Sequence, residues 1–227
     1  MPLRESKGNM YPFVTHTWRP IRGKCPHGCS YCFMNRWGEL PPLHLDEKDL
    51  KTKLIDPKTG KQGLFIFVGS STDMWAEGID EDWIFKVLRY CEEFPENTYL
   101  FQSKNPSGFI TDSFIESLFA TTIETNRRYV CMGKTPDTLK RAHGMRDLVM
   151  KRLRTMVTIE PILDFDFEDL VKLIRLASPE WVNIGADSQG HHLPEPSAEK
   201  VSLLVEHLKQ FTKVKLKSNL KRIMEAR

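Results

Sequence analysis

Three cysteines stand close together in Cys25-Pro-His-Gly-Cys29-Ser-Tyr-Cys32. A C-x3-C-x2-C spacing can wrap three thiolates around one corner of a cubane iron-sulfur cluster, leaving the fourth iron without a protein ligand. Structural metal sites are closed by the protein, whereas sites that do chemistry keep a position free for substrate or cofactor. Zinc is the competing reading. It asks for four ligands, and the near candidate, His27, would have to fold back between Cys25 and Cys29 to share one ion with them. No second C-x2-C pair follows downstream. A disulfide framework is a poorer fit, because five is an odd number of cysteines and no secretory signal precedes them.

The spacing, with Tyr31 just before the last cysteine, resembles the signature of the radical S-adenosylmethionine (SAM) superfamily. The resemblance implies that Cys25, Cys29 and Cys32 bind a [4Fe-4S] cluster beside Tyr31, and that the unligated iron takes the amino and carboxylate groups of SAM. Shorter matches at Glu124-Thr125, Ile159-Glu160-Pro161 and Trp181-Val-Asn-Ile-Gly-Ala-Asp-Ser188 resemble a small phage and prokaryotic subfamily related to spore photoproduct lyase. This implies a partial (βα)6 barrel of the TIM type with the cluster loop after the first strand. It also implies a one-electron reductant such as flavodoxin or ferredoxin, and a 5′-deoxyadenosyl radical that takes hydrogen from a substrate. The alternative from another class is a zinc- or iron-sulfur-stabilised nucleic-acid-binding module without catalysis.

The elements that must position these residues read as alternating β and α stretches, so an α/β fold on a mostly parallel sheet is expected. Strands are expected at Phe13 to Trp18, Leu64 to Val68, Thr98 to Gln102, Thr121 to Glu124, Thr155 to Ile162 and Trp181 to Gly185, with Lys213 to Lys217 at one edge. Helical periodicity runs over Asp80 to Glu93, Asp112 to Ala120 (Phe114, Ile115, Leu118 and Phe119 as its stripe), Pro136 to Leu153, Phe167 to Leu176 and Ala198 to Gln210. Residues 1–227 read as one domain. A barrel of six strands would leave a side opening for a large substrate.

In such a fold the polar groups past the C-terminal strand ends face the ligand site. The segment Gly69, Ser70, Ser71, Thr72, Asp73 either caps the next helix or, by the resemblance, holds the SAM amino group, with Ser71 and Asp73 as the contacts. Lys104, with Ser103 beside it, is implied for the SAM carboxylate. Glu124 suits ribose hydroxyls or a surface pair with Arg127 or Arg128. Glu160 and Asn183 end their strands as polar groups that need partners, which SAM or substrate would supply. Cys91 falls on an apolar helix stripe as a small hydrophobe. Cys131 is either an inert thiol or a hydrogen-atom donor near the barrel mouth.

The formal charge of +3, from 33 Lys and Arg against 30 Asp and Glu, excludes a generic polyanion binder. A local basic stretch from Arg127 to Arg154 is either a solvated helix face or, with Trp18, Trp37, Trp75 and Tyr129, a surface for a nucleotide or nucleic-acid substrate. His191 and His192 suit acid/base, binding or metal roles, or none. With no apolar leader and no long apolar run, a cytoplasmic protein without membrane attachment is expected.

Overall fold

The structure is a computed structural model that describes residues 3–111 and 115–225. The chain opens with β1 (Arg4–Glu5), β2 (His16–Trp18), β3 (Ile21–Arg22), β4 (His44–Leu45) and β5 (Phe65–Val68). Then follow α1 (Glu81–Glu92), β6 (Thr98–Gln102), β7 (Ser117–Thr122), α2 (Thr138–Met150), β8 (Arg154–Ile159) and α3 (Phe167–Ala177). The remainder is β9 (Trp181–Ile184), α4 (Ala198–Leu208), β10 (Lys213–Leu216) and α5 (Lys221–Met224). The main sheet runs β1-β2-β5-β6-β7-β8-β9-β10, and its pairs are parallel apart from β1 with β2. β1 and β10 lie at opposite edges of the hydrogen-bonded order, so the ladder itself does not close into a barrel. β3 and β4 form a separate antiparallel pair beside the cysteine loop.

Strand residues divide by parity, as the two-residue period of a strand requires. Ile66, Tyr99, Phe101, Phe119, Val157, Ile159, Val182 and Ile184 join the core that also holds Ile84, Val87, Leu88 and Cys91 of α1 and Leu170 and Ile174 of α3. Their neighbours Leu100, Leu118, Ala120, Met156 and Trp181 form a second cluster on the opposite face. Strands buried on both faces read as continuous apolar runs. That explains the one large departure from expectation. The helix expected over Asp112 to Ala120 is absent from Ser117 onward, where Leu118, Phe119 and Ala120 belong to β7; Asp112 to Phe114 lie outside the described residues. A short apolar run fits a helical stripe and a doubly covered strand equally well, and periodicity alone does not separate them. The sheet therefore holds seven parallel strands, with β10 as the lysine-rich edge.

The second cluster is filled by the segment before β2. Tyr11 and Val14 are buried in it, with Met10 and Phe13 packed against it. Phe13 meets Trp181 edge-on, with ring centres 5.7 Å apart. From the far edge, Lys215 Nζ lies 4.3 Å from the Trp181 ring centre, and Lys217 Nζ donates to the Asn9 carbonyl at 2.5 Å. The N-terminal segment thus ties the start of the sheet to β10, and a strap of chain crosses where an open side was expected. Among the described residues no helix is long and apolar enough to cross a membrane. Tyr11→Ala removes the aromatic centre of this strap and is expected to cost about 3 kcal/mol, measured by urea unfolding; a change within 0.5 kcal/mol would show that the strap is not part of the core.

Candidate active site

The seven parallel strands point their C-terminal ends at one cavity of about 560 Å³, within the range of roughly 300–1,000 Å³ usual for small-molecule and cofactor sites. Cys25, Cys29 and Cys32 line it together with Tyr31, Gly69, Ser70, Ser71, Asp73, Ser103, Lys104 and Glu160. Glu124, Asn183 and Cys131 do not line it. Glu124 is fully buried behind the wall. Asn183 turns its amide to Met156 Sδ at 3.4 Å beneath the cavity floor. Cys131 sits on a loop behind the cysteines, where its carbonyl accepts from Ser30 N at 2.9 Å. Tyr11, Gln102, Thr122 and Lys217 also face the cavity. Gln102 and Thr122 follow from strand parity; Tyr11 and Lys217 come from segments outside the βα units, which no local pattern marks.

The cysteine loop has only short 3-10 turns of its own, so its place is set by its neighbours. Asp73 gathers four donors: His27 Nε2 at 2.7 Å, Ser103 Oγ at 3.0 Å, Lys104 N at 2.8 Å and Trp75 N at 3.0 Å. One carboxylate therefore fastens the cysteine loop to the ends of β5 and β6. Ser70 and Ser71, in contrast, present hydroxyls without a side-chain hydrogen bond among the described residues. The loop between β7 and α2 supports the cysteines from behind, with Lys134 N donating to His27 O at 2.6 Å and Cys29 Sγ donating to Met132 O at 3.3 Å. Gly133 has φ +64°, and a Cβ there would lie 2.2 Å from His27 O.

Three of the arginines that the sequence offered to phosphate are engaged by protein groups, whereas Arg146 and Arg152 are exposed. Arg127 pairs with Asp164 and Asp166, and Arg128 donates to the carbonyls of Gly133 and Thr135. Arg141, wholly buried, donates to Thr122 O at 2.8 Å, Pro136 O at 2.8 Å and Thr135 Oγ1 at 2.5 Å. It also bonds Glu124 Oε2 at 2.7 Å, while Lys104 Nζ lies 2.7 Å from Glu124 Oε1 and Tyr31 Oη donates to the same carboxylate. Burial works against the charge on Glu124, but Lys104 and Arg141 overcome it and hold the carboxyl at about 2. Glu124 is thus turned to three protein donors and exposes no surface to the cavity. Glu160 is similarly engaged, by Lys217 at 2.7 Å and by Asn9 and Asn219 at 2.9 Å each. His191 is held by Asp187 at 2.7 Å, outside the cavity lining.

Three thiols on one wall are the number of protein donors that a cubane iron-sulfur cluster with one open iron would need. All five cysteines are free thiols, three share the cavity wall, and neither Cys91 nor Cys131 lines it as a fourth. Burial pushes the Cys25 thiol up to about 11 and raises Cys32 as well, so binding a metal centre must displace protons. A single-ion site fits less well. Among the described residues no three His, Cys, Asp or Glu side chains are placed to share one metal ion, and His27 Nε2 is committed to Asp73.

The fold is that of solved spore photoproduct lyase structures. The complex with dinucleoside spore photoproduct superposes with a TM-score of 0.66 at 12% identity, covering 92% of this chain and 78% of that one. A cysteine-to-alanine mutant with the same ligand gives 0.68 at 12% over the same shares, and a tyrosine-to-phenylalanine mutant gives 0.67 at 13% over 91% and 78%. No family model and no curated protein sequence matches the chain.

Two outcomes follow from the scaffold. Gly133→Ala should raise amide exchange across residues 25–32 at least tenfold, because the loops must part to admit the methyl group; unchanged exchange would show that they do not depend on each other. Glu124, held near 2 instead of 4.5, contributes stability that is complete above pH 4.5 and lost as pH falls towards 2. The melting temperature of metal-free protein should therefore fall less steeply between pH 5 and 2.5 in Glu124→Gln than in wild type, and parallel slopes would contradict the buried pairing.

Proposed function

We propose that the protein is a radical SAM enzyme whose Cys25, Cys29 and Cys32 hold a [4Fe-4S] cluster at the cavity. The observation that carries this reading is the donor set: three thiols, and no fourth, on one cavity at the C-terminal ends of parallel strands. When bound, the cluster and SAM supply a reductive cleavage that yields a 5′-deoxyadenosyl radical able to take hydrogen from a substrate. The protein's own part is orientation and exclusion of water. Ser70 and Ser71 offer uncommitted hydroxyls to the polar groups of SAM, and the Asp73 junction keeps them in register with the cysteine loop. The chamber beyond is walled by Tyr11, Gln102 and Thr122, with Tyr11 Oη donating to Gln102 Oε1 at 3.0 Å and Gln102 Nε2 to Thr122 Oγ1 at 3.3 Å. That hydrogen-bonded wall keeps a bound substrate in one orientation.

The substrate in this proposal is a nucleotide or nucleic acid. The likeness of fold to a lyase solved with a dinucleoside photoproduct supports it, as do Lys7 and Lys24 on the cavity rim, neither in an ion pair among the described residues. Its reductant is a one-electron carrier such as flavodoxin or ferredoxin, and its compartment the cytoplasm. Under anaerobic reduction, reconstituted protein should convert SAM to 5′-deoxyadenosine, detected by chromatography, and Cys29→Ala should abolish the conversion. Wild-type protein that carries a cluster but never cleaves SAM would defeat the proposal and leave a non-catalytic binding module.

A further inference from the structure

Lys104 is the unusual cation of the cavity wall. An ammonium has three N–H donors; Lys104 donates to Tyr31 Oη at 2.7 Å and to Cys29 Sγ at 3.3 Å, and its Nζ stands 2.7 Å from Glu124 Oε1 in an ion pair. The side chains of Arg141 and Glu124 are wholly buried and that of Lys104 is 16% exposed. Two cations share the one carboxylate they touch, Glu124, while Asp73, the other carboxylate of the site, meets Lys104 only through its backbone amide; incompletely matched charge is costly in such a place. The remaining atom that the ammonium addresses is Cys29 Sγ. A metal-bound cysteine is a thiolate, which would bring a second negative charge to the pair of cations.

We infer that Lys104 is the hydrogen-bond donor and counter-charge of Cys29 when that residue acts as a cluster ligand, with Glu124 and Arg141 as the positioning residues that fix the ammonium. This rests on the cluster reading proposed above, and differs from the SAM-carboxylate contact that resemblance implies for Lys104. Hydrogen bonds to ligand sulfurs and net charge set the reduction potentials of iron-sulfur centres. A fixed cation on one ligand favours the reduced, more negative state, so Lys104 raises the potential at which the cluster accepts its electron.

The test is a mediated redox titration of the anaerobically reconstituted full chain, followed by EPR with dithionite as reductant, on wild type, Lys104→Met and Lys104→Arg, with iron content measured in each. Loss of the cation in Lys104→Met should move the midpoint to a more negative value, with Lys104→Arg staying near wild type. Loss of iron in Lys104→Met alone, with the arginine variant retaining it, supports the same role. An unchanged midpoint in an iron-replete Lys104→Met overturns it, as does equal loss of iron from both variants. Wild-type protein that binds no cluster at all would instead remove the reading on which the inference stands.

Discussion

A loop with almost no secondary structure must borrow its position, and the arrangement of this protein depends on how the cysteine loop does so. Two polar junctions hold it. On one side Asp73 collects His27, Ser103 and the amide of Lys104; on the other, Glu124 collects Tyr31, Lys104 and Arg141. Buried carboxylates with this many donors are rigid, because removing any partner leaves a desolvated charge behind. Lys104 belongs to both junctions, through its backbone amide and through its ammonium, and so links the three-cysteine wall to the ends of β6 and β7.

This explains the uses to which the basic residues are put. A stretch rich in arginine looks like a phosphate-binding face in sequence, yet Arg128 and Arg141 turn to carbonyls of the loop that backs the cysteines and to Glu124, and Arg127 pairs at the surface with Asp164 and Asp166. Arginine suits the task, since its planar fork satisfies several carbonyls at once. The cations without an ion pair among the described residues on the cavity rim are Lys7, Lys24 and Arg36. Meanwhile the N-terminal strap, fastened by Lys217 and Glu160 through Asn9, covers the side of the sheet.

The legible parts of the sequence were those where one local pattern has one physical meaning. The apolar run Leu64 to Val68 between glycines contains β5, the stripe of Ile84, Val87, Leu88 and Cys91 is the buried face of α1, and Cys25, Cys29 and Cys32 lie on one cavity. Strand-end logic placed Ser71, Asp73, Ser103, Lys104 and Glu160 on the cavity. Glu124 and Asn183 do not line the cavity, although they share the parity of Thr122 and Trp181: Glu124 lies two residues past β7, where Arg141 and Lys104 hold it, and Asn183 sits below the strand end against Met156. β7 was hidden because Leu118, Phe119 and Ala120 serve both faces of a covered sheet. Tyr11 was hidden for a different reason: its partners, Leu100, Leu118, Met156 and Trp181 among them, are distant in sequence, and only the assembled sheet creates the slot it fills.

The central claim is that three thiolates hold a cluster with one iron open to SAM, and Mössbauer spectroscopy of protein reconstituted with iron-57 addresses it most directly. The account predicts a [4Fe-4S] spectrum in which one iron changes its parameters when SAM is added while the other three keep theirs. A spectrum indifferent to SAM, or purified protein that holds one tightly bound zinc in place of iron, would contradict it.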